Sequence, residues 1–208
     1  MLKNRFLAFL ASAAMVATLA AFVSSASRAE EAKAPEALPE MAVGSESAPV
    51  TIIEYSSLTC PHCAHFHKDV YPPLKEQYID TGKARYVMRE FPLNEAALAG
   101  AVAARCLEPS RYFAFTGLLF AKQNDWAFKD DALAPLKALA KQAGMSGEEF
   151  DKCIDNQDLQ KKILAVRDEG QKKGVNATPS FFVNGTLLKG APTLEALIEA
   201  MKPYLDVK

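Results

Sequence analysis

The stretch Cys60-Pro61-His62-Cys63 sets two thiols three residues apart, with an imidazole between them and a proline directly after the first. At this spacing on a helix the two sulfurs can bond to each other, and a thiolate at either is a nucleophile for disulfide exchange. Proline is favourable at the first helical position, where its missing N–H would have had no partner, so Cys60 falls at the N-cap. There its sulfur meets unpaired backbone N–H groups and the positive end of the helix dipole, and both favour the thiolate. The chain's three histidines, His62, His65 and His67, lie in the same stretch, and Glu54 stands six residues before Cys60. A zinc or copper module is therefore the competing chemistry. One helix cannot wrap four ligands around one ion, and Cys60 and His67 are two turns apart. His65 and His67 are expected on the outer face of the helix. A c-type haem would need histidine directly after the second cysteine, where Ala64 stands.

These residues need a strand to deliver them and a helix to hold them. The run at 50–55 is almost wholly apolar and reads as a buried strand, and a Ser-Ser-Leu-Thr turn hands it over to the helix. The helix extends over 61–79, with Cys63, Phe66, Val70 and Leu74 as its apolar stripe. Pro72 and Pro73 are expected to kink it, since Pro72 cannot donate to the carbonyl four residues back. Thr81-Gly82 ends it and 83–91 is a further strand. Two strands joined by a helix of this length form a right-handed parallel unit.

After Pro92 the composition turns helical, over 94–107, 110–121, 131–143, 146–155 and 157–173. Ser110 is expected to cap the second of these, and Ser146 with Glu149 forms a capping box for the fourth. Strand character returns at 180–183, Asn184-Gly185 is a two-residue hairpin signal, and 186–189 forms the return strand. A last helix spans 193–205, and a short strand at 41–43 precedes the whole. This order is that of an α/β domain, built from 41–91 and 175–208, with an α-helical subdomain inserted at 92–174.

Residues 1–29 read as a secretory signal, with Lys3 and Arg5 ahead of an apolar run and cleavage expected after Ala29; an uncleaved anchor is the alternative. Residues 30–40, rich in Ala, Glu and Pro, read as a flexible tether whose charges are simply solvated. The remaining chain of about 165 residues suits one domain with a real core. A formal net charge of −1 gives no basic face for nucleic acid or an acidic membrane. Export implies an oxidising compartment, where disulfides persist.

With Cys60 to Cys63 on the first helix, Thr-Ile-Ile-Glu-Tyr-Ser-Ser-Leu-Thr before it, a helical insert, and Thr178-Pro179-Ser180-Phe181 opening the fourth strand, the chain resembles the DsbA-type thiol:disulfide oxidoreductases. The resemblance implies a thioredoxin fold, a central mixed sheet flanked by helices, with a helical insertion. It implies that Cys60 is the nucleophile and Cys63 the resolving cysteine, and that His62 donates to the Cys60 thiolate. It also implies a cis Pro179 whose loop lies against the dithiol, with Thr178 offering backbone groups to an extended substrate.

For Glu54, the sequence alone leaves open a carboxylate that reaches solvent at the strand end. The resemblance implies instead a partly buried acid that moves the proton of Cys63. A lysine accompanies this acid in the best-known members, and the strand at 83–91 offers only Arg85 and Arg89 without a clear match. With Cys60 and Cys63 paired by their spacing, Cys106 and Cys153 are left for each other as an expected disulfide, two buried free thiols being the alternative.

The function implied is that of a periplasmic dithiol oxidase, needing no cofactor and no metal. It passes its disulfide to exported proteins with free cysteines. A monomer reoxidised by a DsbB-like membrane quinone reductase partner fits this; a disulfide isomerase or reductase on the same fold is the alternative.

Overall fold

The computed structural model describes residues 37–205; the signal segment, the alternative anchor and most of the tether lie outside the described residues. Five strands form one mixed sheet: β1 (Met41–Val43), β2 (Val50–Ser56), β3 (Ala84–Glu90), β4 (Ser180–Val183) and β5 (Thr186–Leu187), in the order β1-β3-β2-β4-β5. The central strand β2 runs parallel to β3, with Val50 opposite Ala84, and antiparallel to β4, with Glu54 opposite Phe181. A strand covered on both faces reads as a continuous apolar run rather than an alternating one, which is why β2 was so conspicuous. Asn184 and Gly185 both take positive φ, as the tight hairpin between β4 and β5 requires.

The helix after β2 is built differently from expectation. It starts as α1 (Pro61–His65), widens into a π-helical turn over Phe66–Val70, resumes as α2 (Tyr71–Leu74) and widens again over Lys75–Ile79. The Tyr71 N–H donates to the Phe66 carbonyl, five residues back. The prolines therefore change the hydrogen-bond register ahead of them, and Pro72 and Pro73 fall in the first turn of α2, where helix N–H groups lack intrahelical partners anyway.

The insert holds α3 (Glu95–Cys106), a 3-10 turn at Pro109–Arg111, α4 (Tyr112–Ala121), α5 (Gln123–Trp126), α6 (Leu133–Gln142), α7 (Gly147–Ile154) and α8 (Gln157–Lys172); α9 (Leu194–Leu205) closes the chain. The capping box of Ser146 and Glu149 is formed. Ser110 is not a cap: it sits inside the 3-10 turn, and α4 begins two residues later with no side-chain cap. Pro109 had already started a tighter turn. The short α5 was not foreseen, being only four residues long.

Residues of sheet and insert share one hydrophobic core, in which Ile52, Tyr86, Leu74, Phe115, Leu119, Trp126 and Met201 are buried together. Cys106 at the end of α3 is disulfide-bonded to Cys153 of α7. The end of the 30–40 stretch is tied down rather than merely solvated. Arg89 Nε donates to Glu40 at 2.9 Å, and Arg105, which also pairs with Glu90, donates to the Pro39 carbonyl. Among the described residues no helix is long and apolar enough to cross a membrane.

Candidate active site

Cys60 occupies the N-cap of α1 in extended backbone, and its sulfur accepts from the Cys63 N–H at 3.4 Å. Cys60 and Cys63 are both free thiols. Facing them is the loop before β4: the Cys60 thiol donates to the Thr178 carbonyl at 3.2 Å, and the Thr178–Pro179 peptide bond is cis. Pairing of Tyr55 with Ser180 on β2 and β4 carries this distant loop to the thiols, so the sheet register assembles the site. Thr178 Oγ1 is buried without a hydrogen-bond partner.

The thiol of Cys60 is lowered from 9.0 to about 5, first by the hydrogen bond from the Cys63 side chain. Partial burial opposes this, while the nearby Thr178 hydroxyl, which has no other partner, and the backbone N–H groups of Cys63 and His62 lower it further. His62 thus acts on the sulfur through its backbone; its side chain is exposed. Cys63 is fully buried, and burial above all pushes its thiol far up, with the bond to Cys60 and the Glu54 charge adding to it. A small counter-effect comes from Ser56, whose buried hydroxyl has no other well-directed partner. The two sulfurs are thereby driven apart in acidity. Cys60 is shifted toward the thiolate and Cys63 is held as the thiol.

Glu54 is fully buried, which rules out a strand-end carboxylate reaching solvent. Its partner is neither Arg85 nor Arg89. Both turn to Glu40, since residues 85 and 89 lie on the opposite face of β3 from Tyr86 and Met88. Oε2 of Glu54 lies 3.0 Å from His67 Nε2 and accepts from the Tyr86 hydroxyl; Oε1 is buried without a partner. The Tyr86 hydroxyl is raised well above its ordinary pKa, by burial first and then by Glu54, so it remains a neutral donor.

His67 therefore does not face outward as expected. Its side chain is 7% exposed, and its ring stacks on Phe120 of α4 with centroids 4.3 Å apart. The signal was there to be read: residue 67 lies four after Cys63 and so on the same helical face. His65 does face outward, 2.8 Å from Asp69. The three histidines have three different surroundings, and among the described residues no three metal-ligating side chains are gathered.

Sequence reasoning also missed Gln123 of α5. This buried amide donates to the carbonyls of Leu58 at 2.8 Å and Cys60 at 3.0 Å, tying the insert to the loop that carries Cys60. Beside the dithiol runs a groove lined by His62, His65, Phe66, Val70, Thr178, Pro179 and Leu194.

A family model described as Thioredoxin matches residues 36–203. The crystal structure of Wolbachia pipientis alpha-DsbA1 is similar with a TM-score of 0.74 and 31% identity, covering 81% of this chain and 92% of that one. Oxidised BdbD from Bacillus subtilis shares the fold, with a TM-score of 0.73 and 24% identity over 81% of this chain and 94% of that one. A Rickettsia typhi protein that bears a protein-disulfide oxidoreductase name is 34% identical over 148 residues, 70% of this chain. The matched part spans about half of that relative, 55% of its length. The mixed sheet, the helical insertion and these likenesses bear out the expected fold, and the chain belongs to the thioredoxin family, among the DsbA-type oxidoreductases.

Proposed function

We propose that the protein is a dithiol oxidase that passes the Cys60–Cys63 disulfide to exported proteins in the periplasm. The observation that carries this reading is the opposed acidity of the two sulfurs: Cys60 lowered to about 5, Cys63 pushed up by burial. A dithiol whose reduced form is stabilised by a thiolate is a strong oxidant, because its disulfide gains most by accepting electrons.

A substrate thiolate attacks Cys60 Sγ, the Cys60–Cys63 bond breaks, and its electron pair leaves on Cys63, which takes up a proton. A second substrate thiolate then attacks the substrate sulfur of the mixed disulfide and expels Cys60 as a thiolate. The substrate loses two electrons and the enzyme dithiol gains them. Glu54, buried beside Cys63, is the group that moves the Cys63 proton. The backbone of Thr178 and the groove at Pro179 hold the substrate segment extended. His62 lies at the groove's rim, where its exposed ring can touch substrate.

The active-site chemistry needs no cofactor within the chain. Reoxidation falls to a DsbB-like membrane quinone reductase, and the protein works as a monomer. The test is oxidation of a dithiol peptide by the oxidised protein, followed by mass and free-thiol count. Cys60→Ser abolishes it; a Cys60→Ser protein that still oxidised the peptide would overturn the reading.

A further inference from the structure

Four groups meet beneath the dithiol. Cys63, Glu54 and Tyr86 are all fully buried, whereas the His67 side chain keeps 7% of its surface exposed. His67 Nε2 is 3.0 Å from Glu54 Oε2, on the carboxylate whose charge acts on Cys63. A buried carboxylate that gives up or takes a proton in each turnover must exchange it with solvent, and within this cluster only the imidazole reaches the surface. An imidazole suits the task because its two ring nitrogens can carry a proton in at one and out at the other.

We infer that His67 is the positioning residue that holds Glu54 on Cys63 and relays its proton to and from solvent. This rests on the proposed thiol exchange at Cys60 and Cys63, and it names the group that resupplies Glu54. When the Cys60–Cys63 bond breaks, Cys63 leaves as a thiolate and takes the proton held in the Glu54–His67 hydrogen bond. The pair is then refilled by a proton from water, entering at the imidazole. No oxidant or reductant beyond the substrate dithiol takes part.

The surroundings fit a relay rather than a fixed ion pair. The titratable groups around the ring are Glu54 from β2, Tyr86 from β3, Tyr71 from α2 and Cys63 one turn back on its own helix. From α4 comes Phe120, stacked on the ring; α4 has no charged residue, and its Tyr112 hydroxyl is committed to Glu90 at 2.8 Å. Both Tyr71 and Tyr86 are raised, chiefly by burial, and stay neutral through the working range. That leaves the Glu54 carboxylate and the His67 imidazole, 3.0 Å apart, as the pair that shares the relayed proton.

Two measurements test this. In the first, the rate at which a peptide dithiol reduces the oxidised protein is followed from pH 5 to 9 for the wild type and for His67→Gln, which keeps an amide donor for Glu54 but cannot relay. The expected result is a slowing of about tenfold or more in His67→Gln and the loss of one inflection from its pH profile. A rate within about twofold of wild type at every pH would overturn the inference. In the second, which needs no variant, the His67 ring is titrated by NMR in the oxidised and reduced wild type. Different titration curves in the two redox states are expected, and superimposable curves contradict the relay. If the wild type itself fails to oxidise the peptide, the proposed function fails instead, so the two failures are distinguishable.

Discussion

The Thr178 carbonyl accepts from the Cys60 thiol at 3.2 Å, across 118 residues of chain. The thiol can make this bond only while protonated. Once the proton leaves, the groups that favour the sulfur are the Cys63 side chain, the Thr178 hydroxyl and the N–H groups at the start of α1, and the Thr178 carbonyl is released. The contact therefore reports the ionisation of Cys60 from the opposite side of the site.

Ionisation of Cys60 has a definite sign for stability. Its pKa falls from 9.0 in the open chain to about 5 in the folded reduced protein. The folded state binds fewer protons between these values, so its stability rises with pH across this window. The gain is complete above about pH 9 and is lost as the pH falls through about 5. At pH 7 it amounts to about 3 kcal/mol in order of magnitude. Denaturant unfolding of the reduced and oxidised forms at a series of pH values checks this. The reduced form is expected to gain on the oxidised form from pH 5 upward, and a gap independent of pH contradicts it.

The Cys106–Cys153 disulfide closes a long loop within the insert, at a sequence separation of 47. In the chain-entropy view, a bond closing such a loop stabilises the fold by about 4 kcal/mol. It joins α3 to α7 of the insert, whereas Cys60 and Cys63 stand at the start of α1. The Cys106→Ala/Cys153→Ala double variant is expected to unfold at lower denaturant and to oxidise a dithiol peptide at the wild-type rate. Loss of exchange in a folded double variant would contradict a structural role.

Gln123 predicts a coupling between insert and active-site loop. Truncation in Gln123→Ala leaves the Leu58 carbonyl without its side-chain donor and strips one donor from the Cys60 carbonyl, which keeps the Ala64 N–H at 3.1 Å. The expected loss is about 1–3 kcal/mol of unfolding free energy, read by urea titration. Faster hydrogen exchange is expected at the amides of α1. An unchanged midpoint and unchanged exchange would show that the bonds are dispensable.

The strands, the parallel pairing and the dithiol at the N-cap were legible because each rests on local chemistry: an apolar run, a proline after Cys60, a glycine after Asn184. The inserted helices were legible from periodicity and caps. What escaped depended on contacts between distant segments. His67 reads as one of three similar histidines until β3 brings Tyr86 and α4 brings Phe120 to it. For Glu54 the family pattern points to a cationic partner, yet strand alternation turns Arg85 and Arg89 away and leaves a tyrosine on its side. Gln123 carried no signal, since a lone glutamine in a four-residue helix reads as surface. The widening of the helix before Pro72 was foreseen in cause but not in form, because the chain changed its hydrogen-bond register ahead of the prolines.

The equilibrium potential of the Cys60–Cys63 couple against a glutathione buffer at pH 7 tests the central claim most directly. A thiolate held at about 5 on Cys60 stabilises the reduced protein. The expected potential is well above thioredoxin's, which is about −270 mV. A value at or below about −270 mV would make the pair a reductant and contradict the oxidase account.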